Sequence, residues 1–126
     1  MITEKITLTI GIEHAGKEHR EMELRPQKVG DAIDALENDR ARQNDHYLGL
    51  CVLSKQIIRL GDIPPAAITP ELLMGLYEID MTVINEGLRR LQVRQISFRS
   101  PGKDASQADA GTAENGIQGG RNTANG

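Results

Sequence analysis

The stretch ITEKITLTIGI, residues 2–12, decides the fold class. Ile6, Leu8, Ile10 and Ile12 fall on one face, and Thr7, Thr9 and Gly11 on the other. A period of two with β-branched residues predicts a half-buried strand. Glu13-His14-Ala15-Gly16-Lys17 then reads as a turn, with Gly16 available for positive φ. A second alternating run puts Arg20, Met22 and Leu24 on one face. It ends at Pro26, which cannot donate to a ladder. The expected unit is an antiparallel β-hairpin over residues 3–25. A hairpin alone is barely stable in water, so its apolar face needs a cover.

That cover is expected to be helical. Val29, Ala32, Ile33 and Leu36 have helical spacing, with Asp31, Asp34 and Glu37 turned to water. The polar stretch 38–45 leads to a second helix that Asp45 would cap. From Tyr47 to Leu60 apolar residues cover much of a helical circumference, which places that helix centrally, and Gly61 supplies a stop. Thr69 suits a third N-cap, with Pro70 at the first helical position and Glu71 at the positive end. Ile68 and Leu73 fit a hydrophobic staple across it. The last helix is expected to run from Pro70 to about Gln95, weakened at Gly75 and Gly87. The spacing therefore predicts an α+β domain over residues 1–98: an N-terminal antiparallel β-hairpin packed on about three α-helices, near 28–39, 45–60 and 70–95.

The composition changes at Arg99. Residues 99–126 hold glycines at 102, 111, 116, 119, 120 and 126, and Ile117 is their one large aliphatic. Arg99, Lys103 and Arg121 balance Asp104, Asp109 and Glu114. Such a segment buries too little to offset its ordering entropy, so a disordered C-terminal tail is expected.

Aromatic residues make up only 2% of the chain, so the core must be aliphatic. Stacking platforms for single-stranded nucleic acid are correspondingly scarce. The net charge is −3, with Lys and Arg scattered among more numerous carboxylates. Neither nucleic acid nor an anionic membrane is an expected partner. Arg89, Arg90 and Arg94 read as cations complementing a helix C-terminus. The single cysteine, Cys51, sits in an apolar run and reads as a buried inert thiol in a reducing compartment. The first residues lack a signal-peptide pattern, and no apolar run approaches the roughly 20 residues of a membrane span. The chain is expected to stay soluble inside a cell.

Chemistry is hard to find. His14 and His19 flank the turn with no Cys pair or third His to join them, so they read as surface turn residues and not as zinc ligands. Asp31, Asp34 and Glu37 repeat every three residues, as a solvated helix face does, and no converging partner marks them for acid–base work. Phosphate-binding glycine motifs, nucleophile elbows and paired zinc histidines are absent from the sequence. A helix-turn-helix would start its recognition helix with Pro70-Glu71-Leu72-Leu73, which offers no base-reading side chain. The expectation is a protein with no catalytic residue, metal or cofactor. What remains is a surplus of apolar helix surface. Leu73, Leu76, Val83, Ile84 and Leu88 are the candidate partner-binding patch, covered by another protein or by self-association, against the plain alternative of internal core.

The residues also occur in a recognisable order. Glu23-Leu24-Arg25-Pro26 is followed by Val29-Gly30-Asp31-Ala32, then Leu60-Gly61-Asp62-Ile63-Pro64, then Ile68-Thr69-Pro70-Glu71-Leu72. As a set, over about residues 3–95, this resembles the small tail assembly chaperone family of contractile-tailed, Mu-like phages and prophages. The resemblance implies a non-enzymatic protein of the host bacterial cytoplasm. It would coat the long helical tape measure protein until the tail tube polymerises, and be absent from the mature virion. It transfers no catalytic residue. A structural tail or baseplate component is the alternative, and a small DNA-binding phage regulator a more distant one, opposed by the acidic balance. The family often makes a longer product by ribosomal slippage, which would fall here near Gly102-Lys103; the plain alternative is a chance dipeptide.

Overall fold

The computed structural model describes residues 2–99, without the side chains of residues 98 and 99. The expected disordered tail, from residue 100 onward, and Gly102-Lys103 lie outside the described residues. Packing separates a unit over Met1–Leu91 from a second that begins at Gln92. The first carries the sheet and the site.

The fold is α+β. Strands β1 (Glu4–His14) and β2 (Lys17–Leu24) form the expected hairpin, and β3 (Ile57–Leu60) adds to β2, giving an antiparallel sheet in the order β1-β2-β3. The helices are α1 (Val29–Ala35), α2 (Asp39–Gln43), α3 (Asp45–Gln56), α4 (Pro70–Leu73) and α5 (Glu78–Arg99), with a 3-10 turn at Pro65–Ala67. Ala15 and Gly16 close the hairpin with φ of 54° and 76°. Two positive φ values make the two-residue turn that matches strand twist.

The strand alternation breaks in the middle of β1. Ile6 pairs with Met22 and Thr7 with Glu21, but Ile12 pairs with His19, so β1 spends three more residues than β2 on this interval. Gly11 makes the bulge with φ of 94°, where an added Cβ would lie 2.6 Å from the His19 carbonyl oxygen. Two expectations fail as a result. Ile10 does not share the buried face of Ile6, Leu8 and Ile12 but is exposed. On β2 it is His19, not Arg20, that joins Met22 and Leu24 inside. Arg20 instead donates from Nε to the Leu8 carbonyl at 2.9 Å.

Residues 57–60 are strand, not the end of the second helix. Ile57-Ile58 is β-branched, and β2 would otherwise present an unpaired edge. Gly61 therefore ends a strand, with φ of 54°, and donates its N–H to the Glu21 carbonyl at 2.8 Å. The N-cap of α3 is Asn44 and not Asp45; its side chain accepts from the His46 and Tyr47 amides at 3.0 and 3.1 Å. Asn38 caps α2 in the same way. Thr69 does cap α4, accepting from the Leu72 amide at 3.2 Å. The long final helix is in two pieces, however: α4 stops at Leu73, and residues 74–77 turn before α5 begins.

Helix α1 is rotated from its expected setting. Asp31 and Ala35 face inward, while Val29, Ile33 and Leu36 are 82%, 59% and 42% exposed. Arg25, directly after β2, makes a two-pronged ion pair with Asp31, 2.9 Å on each arm, which holds that side of the helix inward. Asp31 also accepts from the Lys28 amide at 2.8 Å. With that carboxylate held inward, the opposite side of the helix, with Val29, Ile33 and the C-cap Leu36, is left to solvent. Asp31 thus leaves the solvated face to Asp34 and Glu37.

The main core joins Ile6, Leu8, Met22, Leu24, Leu53, Leu60, Leu73, Ile84 and Leu91. A smaller core of Ala35, Ala41, Tyr47 and Cys51 sits among α1, α2 and α3. As expected, α3 is central, touching α1, α2, α4 and β3.

Candidate apolar groove

The start of α5 is fixed by one buried side chain. Asp80, in its first turn, is fully buried and accepts from the backbone amides of Thr9, Ile10 and Gly11 at 2.5, 3.1 and 2.8 Å. These are the amides that the β1 bulge withdraws from the ladder. Further along, Gly87 lets the helix approach the sheet, because a Cβ there would lie 2.9 Å from Ile6 Cγ2. Arg90 Nε meets Glu4 Oε2 at 2.7 Å. On the opposite side, Tyr47 of α3 donates its hydroxyl to Glu71 of α4, and the Arg40 guanidinium lies 4.4 Å over the Tyr47 ring. That bond pulls the Glu71 carboxyl below its usual range and pushes the Tyr47 phenol up.

With α5 anchored on the sheet and α4 anchored to α3, a groove of about 860 Å³ remains open between α3 and α5. Leu50 and Leu53 line it from α3, Met81, Ile84 and Leu88 from α5, and Leu73, Met74 and Leu76 from α4 and the turn after it. Asp45, His46, Gln27, Asn85 and Glu78 are its polar residues at the exposed margin.

Four of the five residues singled out from the sequence line this groove: Leu73, Leu76, Ile84 and Leu88. They do not share one helix, since Leu73 ends α4 and Leu76 lies in the turn. Leu73 and Ile84 are floor residues, fully buried in the main core, whereas Leu76 and Leu88 are half-buried. Val83 packs against the core and does not line the groove. The contributions of Leu50, Leu53 and Met81 were missed. The broad apolar circumference of residues 47–60 was the signal for the first two.

His19 is not a surface turn residue. It is buried, and its Nδ1 accepts from the Asp62 amide at 3.2 Å. Cys51 is buried, and that burial pushes its thiol up. Among the described residues no group of three or more His, Cys, Asp or Glu could hold a metal ion, and no helix is long and apolar enough to cross a membrane. No protein-family model, curated protein or solved structure matches the chain.

Proposed function

We propose that the chain is a non-enzymatic binding protein, a tail assembly chaperone that holds a phage tape measure protein in the host bacterial cytoplasm and leaves before the virion is complete. The observation that supports this reading most is the open groove between α3 and α5, floored by Leu53, Leu73 and Ile84. Grooves of this kind between helices receive the apolar side of another helix. The order of short motifs over residues 3–95 supplies the phage context, and the exposed stripe of Val29, Ile33 and Leu36 adds apolar surface on α1.

The test is co-expression with the tape measure protein of the same phage genome. The chain should keep that protein soluble and co-elute with it, and peptide mapping of purified particles should find the chain absent. Stoichiometric recovery from mature virions would instead assign a structural tail or baseplate role.

A further inference from the structure

Asp45 and Glu78 stand at the margin of the groove, one in the first turn of α3 and the other in the first turn of α5. Among the described residues they are its only acidic ones, and no Lys or Arg lines it. Both are exposed, and neither has an ion-pair or side-chain hydrogen-bond partner among the described residues. Two unpaired carboxylates therefore flank an aliphatic floor.

We infer that this groove receives a cationic amphipathic α-helix, whose apolar stripe seats on the aliphatic floor while lysines or arginines beside the stripe meet Asp45 and Glu78. The inference rests on the binding-protein reading above and adds the chemistry of the partner. An incoming helix presents anchors at i, i+3 or i+4, and i+7, the repeat that fits a groove between two helices. Two occupants nearer at hand fail on chemistry. The chain's own residues 100–126 supply one large aliphatic, Ile117, where a stripe needs about three anchors. A second copy could offer Val29, Ile33 and Leu36 of α1 at suitable spacing. That stripe is flanked by the exposed Asp34 and Glu37, which would bring carboxylates against carboxylates. The net charge of −3 favours a basic partner in the same sense.

The experiment uses the full chain and two labelled synthetic helices of about 18 residues, or five turns, with the same leucine stripe. One carries Lys on its polar face and the other Glu, and binding is read by fluorescence anisotropy. The Leu/Lys helix should bind at least about tenfold more tightly than the Leu/Glu helix, and Asp45→Lys with Glu78→Lys should reverse the order. Charge reversal at two helix N-termini also opposes the backbone dipoles. For that reason Asp45→Asn with Glu78→Gln is measured alongside, and it should remove most of the preference. Asp34→Lys with Glu37→Lys changes the net charge as much as the first pair and should leave the preference in place. Gly49 lines the groove, with nothing within 4 Å of an added Cβ. Gly49→Leu should thus occupy the groove and weaken the Leu/Lys helix about tenfold.

Equal binding of the two helices overturns the proposal. So does an equal loss of preference from the Asp34 and Glu37 pair, or indifference to Gly49→Leu. If the tape measure protein is captured but the groove variants capture it equally well, the groove is wrong and the chaperone reading stands. Groove-dependent binding of the Leu/Lys helix with no capture of the tape measure protein supports the groove and overturns the chaperone reading.

Discussion

The backbone N–H of Gly11 donates to Asp80 Oδ2 at 2.8 Å, joining the bulge of β1 to the first turn of α5 across 69 positions of chain. The same carboxylate accepts from Thr9 and Ile10. A buried donor left unpaired costs about 1–3 kcal/mol; of the three amides that depend on this side chain, that of Gly11 is buried and those of Thr9 and Ile10 are partly so. Asp80→Ala should therefore destabilise the domain by about 3 kcal/mol or more, a large share of a typical domain's stability. Asp80→Asn, whose amide offers one acceptor oxygen, should lose somewhat less. Urea unfolding followed by circular dichroism checks both, and an Asp80→Ala variant as stable as the parent would show that water satisfies the bulge.

Asp80 also marks where the sequence stops being legible. Local devices were readable: the Ala15-Gly16 turn, the Thr69 cap and the alternation of Ile6 and Leu8 each depend on neighbours within a few positions. Asp80 looks like any polar residue on a helix, because its three partners lie about 70 residues away. The outward face of Val29, Ile33 and Leu36 was hidden for a different reason: Arg25 is only six positions from Asp31, but apolar spacing alone does not reveal that the two will pair and turn Asp31 inward. The groove was half legible. Its leucines show as apolar surplus, but Asp45 and Glu78 gain meaning only once α3 and α5 stand side by side.

Asp31 gives the domain a defined acid limb. The Arg25 guanidinium, helped by the Lys28 amide, lowers its carboxyl to about 2. A carboxyl in an unfolded chain titrates near 3.9, so the folded value is the lower one. The stabilisation is fully present above the unfolded value and is lost as pH falls from about 4 through 2. Its size is about 2 kcal/mol, since the pair is largely buried. Asp31→Asn should cost at least that at pH 7 and flatten the stability profile between pH 5 and 2. A parent and variant with parallel profiles would mean that another carboxylate governs acid unfolding.

Gly61 and His19 should behave as a coupled pair. A Cβ on Gly61 would fall within 2.2 Å of His19 Nδ1, at a residue whose φ is already 54°. The left-handed conformation alone costs an L-residue about 1–2 kcal/mol, and the clash adds to it. Gly61→Ala should destabilise by about 2–4 kcal/mol. With His19→Ala in the background the steric part disappears, so the double-mutant cycle should return a favourable coupling of about 1 kcal/mol or more. Strict additivity would place the cost in the backbone alone.

Two other glycines should respond to the same substitution with opposite sign. Gly49 and Gly87 both lie inside helices, where alanine is intrinsically better by about 1 kcal/mol. At Gly49 nothing lies within 4 Å of an added Cβ, so Gly49→Ala should stabilise by nearly the whole of that amount. At Gly87 the new methyl would come 2.9 Å from Ile6 Cγ2 and 3.5 Å from Leu24 Cδ1. The Ile6 methyl is a branch held in the core, not the free end of a long side chain, so α5 must lift from the sheet to make room. Overpacking of this kind costs about 1–3 kcal/mol, which exceeds the gain in propensity. Gly87→Ala should therefore lower the melting temperature while Gly49→Ala raises it. If both raise it, α5 has slack against the hairpin, and the close approach at Gly87 is not what sets its position.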